Sequence, residues 1–474
     1  MPEQVENSSG EGSIVPLPAI ERFFLADRDV GWVAGSASLA ATQMSAGTFV
    51  GTVGIHYATG ISFIAVWPGI WLGWLLSLLF IAPQLRELGN VTVPEFVGTR
   101  FTGDGADGQR MQALVATLIV AIYFVYTAAQ YIAGAVVLET VLNVPAVWGM
   151  TLLVGTTLAY TAFGGMRASI LSDGVQVLLM VVGIVVAVVL SVAHIGGVEV
   201  LFQEASSAGL SPAGAGITVV DLAGFAMAFG LGMAVAPYEL GRVYAMKDPD
   251  TVRAAIKGSI AIQAVIAVSV AALGLAVRVT HPDLASPDAA AAVLAQSVLG
   301  TVAGGLLLFA VIAAILSTID SILMVSASAL TYDLYVTLLR PEGGSDRLSI
   351  FGWSDITVVT RATTVAAAVI PLFVALKPEL LGNLVQVVVA LYAALIAGTL
   401  FAPIVFGLHW RRTTTSGALA GIAVGCGTVA GWHLVTDVER LVPAPVGVAP
   451  PVLVGVLAST AALIVVSLAT ATDV

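Results

Sequence analysis

Apolar stretches close to the length of a membrane-spanning helix recur along this whole sequence. A helix needs about 20 apolar residues to cross the hydrocarbon core of a bilayer, whereas a strand of an outer-membrane barrel needs only about ten. Charged residues make up 10% of the chain and hydrophobic residues 58%, while soluble domains are usually about one quarter charged. The sequence therefore predicts an all-α integral membrane protein.

Twelve such stretches can be distinguished, and we number them spans 1 to 12. They cover approximately residues 31–57, 61–82, 111–138, 146–163, 174–195, 217–237, 255–278, 301–334, 357–376, 380–407, 415–435 and 451–470. If the N-terminus is cytoplasmic and the spans alternate, only Arg278, Lys377 and Arg440 of the 18 lysines and arginines fall outside. Basic residues concentrate on the cytoplasmic side of membrane proteins. We therefore expect a multi-pass protein of the cell (plasma) membrane whose residues 1–30 form a cytoplasmic N-terminal segment.

Two spans contain residues that interrupt a helix. Span 1 carries the run SAGT at 45–48 near its centre, and span 6 carries Gly230, Gly232 and Pro237. These positions correspond if spans 1–5 and 6–10 are inverted copies of one five-helix unit, and such a pair indicates a transporter's binding site. Unwound backbone at membrane depth needs other partners for its carbonyls, and a sodium ion can be one. The alternative is that small residues pack the helices, or that the hydroxyls bond back to their own helix.

Span 8 has a polar face. At the helical spacing i, i+3, i+4, i+7 it carries Ala314, Ser317, Thr318 and Ser321. Asp320 lies in the same span, and an ionisable residue inside a membrane helix indicates function, although an interhelical hydrogen bond would also explain it. Two adjacent hydroxyls with freed carbonyls nearby form an uncharged set of hard oxygens, which suits a monovalent cation better than a transition metal.

Five segments of the sequence resemble the sodium:solute symporter family, whose members carry proline, pantothenate, monocarboxylates, iodide or sugars. In chain order these segments are FFLADRDVGWVAGSASLAATQMSAGTFVG, LRELGNVTVPEFVGTRF, YTAFGGMRASILSDGVQVLLM, APYELGRVYAMKD and AAILSTIDSILMVSASALTYDLY. The resemblance implies a LeuT-type 5+5 inverted-repeat fold with 12 transmembrane helices and alternating access. Residues 31–410 would form the ten-helix core, and residues 411–474 would add two C-terminal transmembrane helices. The extra helix that most members carry before the first core helix is not visible here.

The resemblance also implies where the coupling ion binds, because the family holds one sodium between its first and eighth core helices. Carried over by motif, the ligands would be the carbonyl oxygens of Ala41, Met44 and Ala314 and the hydroxyls of Ser317 and Thr318. Asp173 would lie near the cytoplasmic exit of the ion. The alternative is that Asp173 is simply an acidic residue at the start of a helix, where the helix dipole favours a negative charge. Asp320 would either stabilise the packing around span 8 or help to bind a second cation.

We expect the solute at the membrane midplane between the interrupted helices. The predicted contacts are Gln43, Ser45, Thr48, Tyr126, Gln130, Phe229, Met233 and Gln386. A pocket lined by aromatic side chains and a methionine, with few polar groups, suits a small, partly apolar solute. Such a solute could be a monocarboxylate, a pantothenate-like acid or an amino acid. No lysine or arginine is expected deep in any span to bind a carboxylate. Proline carriers have tryptophan and tyrosine where Phe229 and Met233 stand, which argues against proline itself.

The sequence thus predicts a secondary active transporter that couples inward sodium movement to the uptake of a small organic solute. A proton-coupled relative would keep the fold and replace the ion by a titrating carboxylate. A cation channel and a transporter-like sensor are the alternatives from other classes, and the paired interruptions argue against the channel. An enzyme is not expected, since the sequence has neither HExxH nor a nucleotide-binding glycine loop. The expected partners are sodium, the solute and the lipid bilayer, with no nucleic acid.

Overall fold

The structure, a computed structural model, describes residues 18–103, 105–207, 217–339, 349–350, 353–377, 385–438 and 450–471. Nearly all of these residues are helical. The α-helices are α1 (Pro18–Leu25), α2 (Trp32–Gln43), α3 (Val53–Thr59), α4 (Val66–Phe80), α5 (Ala82–Leu88), α6 (Val93–Thr102), α7 (Ala106–Leu142), α8 (Ala146–His194), α9 (Val198–Ser207), α10 (Val219–Ala234), α11 (Pro237–Ala245), α12 (Pro249–Thr280), α13 (Ala290–Ser297), α14 (Gly300–Ser328), α15 (Thr337–Leu339), α16 (Asp355–Ala375), α17 (Val385–Ile396), α18 (Ala402–His409), α19 (Thr415–Val438) and α20 (Pro451–Thr470). A short antiparallel pair, β1 (Ser349–Ile350) and β2 (Trp353–Ser354), precedes α16.

Ten helical segments within the described ranges are long and apolar enough to cross a membrane. Two of them contain a glycine whose backbone angles are not helical: Gly60 (φ 75°, ψ −154°) in Gly47–Leu88, and Gly165 (φ 57°, ψ −156°) in Ala146–His194. A straight helix of 49 residues would be about 74 Å long, more than twice the roughly 30 Å of a bilayer core. The helical membrane class is confirmed, and the count of twelve spans remains a prediction.

The helices pack around one continuous core. α14 lies along α8, α2 against α12, α10 against α4, and α19 against α20. The contact between α4 and α10 depends on two facing glycines, since a Cβ built on Gly73 would lie 1.9 Å from the carbonyl oxygen of Gly230. Small residues allow membrane helices to approach this closely.

The predicted interruption of the first span is confirmed. α2 ends at Gln43, and Met44 is extended, with φ −74° and ψ 104°. The chain becomes helical again at a π-helical turn, Gly47–Thr52, which continues into α3. Because α2 stops here, the last carbonyl groups of α2 have no partner within their own helix.

The predicted interruption of the sixth span is also confirmed. α10 ends at Ala234, and α11 begins at Pro237. Between them the backbone leaves the helix at Val235 (φ −127°, ψ 9°) and Ala236 (φ −61°, ψ 119°). Proline suits the first position of α11, since its missing N–H would have no helical partner there.

Candidate functional site

The free end of α2 meets the middle of α14 in the protein interior. The hydroxyl of Ser317 lies 2.8 Å from the carbonyl oxygen of Ala41, to which it donates, and 2.9 Å from that of Ala314. Ser317 and both partners are fully buried. One hydroxyl therefore joins the unsatisfied end of α2 to a carbonyl of its own helix.

Thr318, the next residue, extends this contact. Its hydroxyl lies 3.1 Å from the carbonyl oxygen of Thr42, 3.2 Å from that of Met44 and 3.1 Å from that of Ala314. All the predicted sodium ligands thus come together, and the carbonyl of Thr42, which was not predicted, joins them. We call these carbonyls, with the hydroxyls of Ser317 and Thr318, the α2–α14 oxygen cluster.

The α2–α14 oxygen cluster contains only uncharged oxygens. In the part of the chain that is described, no group of three or more His, Cys, Asp or Glu side chains could hold a metal ion. Neutral hard oxygens without imidazole or thiolate suit sodium better than a transition metal. The hydroxyl protons that now point at the carbonyls can rotate away, which would leave all the oxygens free to face one cation.

A cavity lies beside the break in the first span, and we call it the first cavity. Its free space is about 430 Å³, including the part that is open to solvent. It is lined by Gln43, Ser45, Gly47, Thr48, Thr52, Phe63, Val66, Trp67, Ile70, Tyr126, Phe229, Met233 and Val389. The cavity is therefore mostly apolar and aromatic, with a polar strip supplied by the interrupted helix.

Six of the predicted solute contacts line this cavity, namely Gln43, Ser45, Thr48, Tyr126, Phe229 and Met233. Gln130 does not line it. The side-chain amide oxygen of Gln130 instead accepts a hydrogen bond from the backbone N–H of Ala46 at 3.0 Å, which satisfies a donor that the break sets free. The side chain of Gln386 lies outside the described residues.

The polar residues of the break satisfy its other free N–H groups. The N–H of Gly47 donates to the hydroxyl of Ser45 at 3.0 Å, and the N–H of Ser45 lies 3.4 Å from the hydroxyl of Thr48. These side chains act as caps for the second half of the helix. The run SAGT therefore keeps the backbone open as well as lining the cavity.

One wall of the first cavity, formed by α4 and the turn before it, was not predicted. Phe63, Val66, Trp67 and Ile70 all line the cavity, and their spacing i, i+3, i+4, i+7 is the signal that identifies one helix face. A residue behind the wall was also missed. The indole N–H of Trp74 donates to the side-chain oxygen of Gln43 at 2.7 Å and so fixes the orientation of that amide.

Asp173, Asp320 and Arg242 form a buried charge cluster. One guanidinium nitrogen of Arg242 lies 3.5 Å from Asp173 and 3.9 Å from Asp320, and none of the three side chains is exposed. The same nitrogen donates to the hydroxyl of Ser169 at 2.7 Å. Arg242 lies beyond the predicted end of span 6, in the last turn of α11, and its complete burial beside two carboxylates was not predicted.

Both carboxylates also accept hydrogen bonds from neighbouring helices. Asp173 accepts from Ser38 of α2 at 2.6 Å, which connects it to the helix that carries the carbonyls of the oxygen cluster. Asp320 accepts from the hydroxyls of Thr161 and Ser169 on α8. For Asp320 the structure thus shows the interhelical hydrogen bonds that the sequence left as an alternative.

Comparison with known proteins identifies the family. The family model described as "Sodium:solute symporter family" matches residues 23–425. The chain belongs to the sodium:solute symporter family. It is a transporter that couples sodium to the uptake of a small organic solute, as the sequence predicted, and members of this family are transporters rather than enzymes.

Two relatives of this symporter illustrate the similarity. It is 28% identical over 426 residues to the osmoregulated proline transporter OpuE of Bacillus subtilis, covering 87% of this chain and 83% of the relative. It is also 28% identical over 429 residues to sodium/proline symporter 2 of Staphylococcus saprophyticus, covering 87% of this chain and 80% of the relative.

Solved structures share the fold. A Na⁺-coupled sialic acid symporter, in a substrate-bound outward-open state, superimposes with a TM-score of 0.76 at 18% identity over 95% of this chain and 92% of that one. MhsT in complex with L-phenylalanine gives a TM-score of 0.56 at 13% identity over 94% and 99% of the two chains. These similarities confirm the LeuT-type fold.

Proposed function

We propose that this symporter carries a small carboxylate-bearing solute with an apolar body, in the class of apolar amino acids and monocarboxylates, and binds its coupling sodium at the α2–α14 oxygen cluster. The observation that carries the proposal is the meeting of the carbonyls of Ala41, Met44 and Ala314 with the hydroxyls of Ser317 and Thr318. Neutral oxygens at this spacing, buried where water is excluded, supply what a dehydrated sodium ion requires.

The lining of the first cavity supports the solute class. Within the described residues that line it, no side chain carries a formal charge. A carboxylate there would be bound by hydroxyls, the Gln43 amide and the nearby sodium. Phe63, Trp67 and Phe229 would contact the apolar body of the solute. The proline transporters among the relatives favour the amino acid, while Phe229 and Met233 argue against identical recognition.

Coupling between the two ligands follows from their shared segment. The α2 end supplies carbonyls to the proposed sodium site, and the same end supplies Gln43 and Ser45 to the cavity. A sodium ion that joins α2 to α14 would hold Gln43 and Ser45 in place, so the affinity for solute would rise, and by linkage solute would raise the affinity for sodium. Each sodium carried inward gains about 2.3 kcal/mol per 100 mV of membrane potential.

For the topology we propose the arrangement that the basic residues indicate. The N-terminal segment 1–30 would be cytoplasmic in a multi-pass plasma-membrane protein, residues 31–410 would form the transport core, and residues 411–474 would add two helices. Asp173 would mark the cytoplasmic side of the ion path, because it is connected to α2 through Ser38 and is held by Arg242.

The function can be tested in proteoliposomes. We expect an inward sodium gradient to drive the accumulation of a radiolabelled solute chosen from proline, an apolar amino acid panel, pantothenate and short monocarboxylates. Potassium in place of sodium should abolish uptake. Full uptake on a pH gradient without sodium would contradict the assignment of the ion, and failure of every member of the panel would contradict the solute class.

A further inference from the structure

A second cavity lies further along α14. Among the residues that line it are Thr92, Ile119, Tyr244, Val325, Ser328 and Asp333. Its free space is about 280 Å³, including the part that is open to solvent. Asp333 belongs to the π-helical turn Ala329–Val336 that follows α14, and turns of this kind are frequent at functional sites.

Asp333 is the acidic side chain of this cavity. It is fully buried, and its Oδ1 accepts hydrogen bonds from the Thr92 hydroxyl at 2.6 Å and the Gln112 amide at 2.7 Å. Its other oxygen, Oδ2, is buried and has no partner. Two donors thus hold one side of the carboxylate still and leave the other oxygen free within the cavity lining.

A second unpartnered group lines the same cavity. The side chain of Tyr244 is 1% exposed, and its hydroxyl has no hydrogen-bond partner. The hydroxyl of Ser328 donates to the carbonyl oxygen of Val325 at 2.9 Å, so its lone pairs stay available. Buried polar groups are normally satisfied, and two unsatisfied oxygens on one cavity indicate a ligand.

The charges around the cavity favour a cation. Glu95 lies close enough to act electrostatically on Asp333, but Glu95 is itself bonded by the N–H of Val91 at 2.5 Å and the hydroxyl of Tyr332 at 2.7 Å. Among the described residues, no lysine or arginine forms an ion pair with Asp333, and the nearby positive charge, Arg28, acts on Glu95 and Tyr244. A buried carboxylate without a counter-charge is costly, and either protonation or a bound cation would remove that cost.

The position of the second cavity relates it to the oxygen cluster. Both lie on α14 and its continuation, and by helical rise Val325 is about 10 Å, and Asp333 about 22 Å, beyond Thr318. Along α7, Tyr123 stands between Ile119 of the second cavity and Tyr126 of the first. Its hydroxyl accepts from the backbone N–H of Tyr238 at 3.0 Å, which connects α7 to α11, the helix that carries Tyr244.

We propose that the second cavity is a binding site for a monovalent cation, with Asp333 Oδ2 and the hydroxyls of Tyr244 and Ser328 as ligands, and that it receives the coupling ion after it leaves the oxygen cluster. The role as a second binding site for the coupling ion rests on the proposed sodium site, but cation binding at Asp333 does not. Hard oxygens with one negative charge suit sodium or potassium, and the small number of anionic ligands disfavours calcium.

Equilibrium binding of ²²Na⁺ to the purified full-length protein, with choline chloride holding ionic strength constant, tests this site. We expect two saturable components in the wild type. Asp333→Asn should raise the half-saturating sodium concentration of one component by roughly tenfold or more, since a charged ligand is lost, and Tyr244→Phe by about threefold, since a neutral one is lost. Asp107→Asn, an exposed acid on α7, should bind as the wild type does.

The variants separate this site from the oxygen cluster. Ser317→Ala combined with Thr318→Ala should remove the other component and leave the one that depends on Asp333. Wild-type binding by Tyr244→Phe and Asp333→Asn would overturn the inference and leave the oxygen cluster intact. If the wild type shows no sodium-driven uptake, the proposed function is overturned. Sodium binding at Asp333 can still be measured in that case. If Asp333→Asn does not fold, Tyr244→Phe decides alone, because it removes only a hydroxyl without a partner.

Discussion

The guanidinium of Arg242 lies 3.5 Å from the carboxylate of Asp173, and neither side chain is exposed to solvent. Asp320, 3.9 Å from the same nitrogen, completes a cluster that joins α8, α11 and α14. Because α11 follows the break in the sixth span, this cluster connects the interrupted helix to the helix that carries the proposed sodium ligands. Its charges therefore hold these three helices together beside the proposed sodium site.

Removal of the guanidinium charge of Arg242 should destabilise the protein strongly. Arg242→Gln leaves two buried carboxylates without their counter-charge, and breaking a buried ion pair in this way costs about 3–5 kcal/mol. We expect a lower midpoint of thermal unfolding in detergent, with partial recovery in Arg242→Gln combined with Asp320→Asn. The matched control is Arg253→Gln, since Arg253 pairs with Asp250 at the surface and such pairs contribute little. An unchanged midpoint for Arg242→Gln would mean that the cluster is not stabilising.

Loss of the two hydroxyls should weaken sodium binding at the oxygen cluster. Ser317→Ala combined with Thr318→Ala removes two ligands, and we expect the sodium concentration for half-maximal uptake to rise roughly tenfold or more. Ser326→Ala is a suitable control on the same helix, because its hydroxyl is buried and has no partner. A sodium dependence equal to that of the wild type in the double variant would contradict the assignment.

The contact between Trp74 and Gln43 should tune the affinity for solute. Trp74→Phe removes the indole donor that holds the Gln43 amide, and we expect the KM for solute at saturating sodium to rise about three- to tenfold. Trp71→Phe serves as the control, since the Trp71 N–H has no partner. If both variants keep the KM of the wild type, the contact with Trp74 does not position Gln43 for solute binding.

The facing glycines of α4 and α10 should not tolerate a side chain. Gly73→Ala would place a Cβ 1.9 Å from the carbonyl oxygen of Gly230, and overpacking of this kind costs about 1–3 kcal/mol. We expect a lower thermal midpoint and reduced uptake. At Gly155 of α8 a Cβ meets nothing within 4 Å, so Gly155→Ala should be neutral or stabilising by up to about 1 kcal/mol. Equal midpoints for the two variants would refute the close approach.

Parts of the site follow from local pattern. Two features of the site belong to short segments: Ser317 and Thr318 share one helix face, and the run SAGT lies at 45–48. The polar face and the helix break could therefore be predicted from the sequence. The pairing of Ala41 and Met44 with α14 came from family resemblance, because a backbone carbonyl has no signature in the side-chain sequence. The same helical spacing could have identified the wall around Phe63 and Trp67.

The sequence by itself determined that the chain crosses a membrane, where its helices break and which residue types are available for an ion, because hydropathy and helix propensity are local. Only the tertiary structure decided that Arg242 is buried beside Asp173, that Gln130 caps the break rather than lining the cavity, and that Asp333 keeps a free oxygen. Those outcomes depend on which helices pack together. Burial and charge pairing are properties of contacts between segments far apart in the chain, and no single segment encodes them.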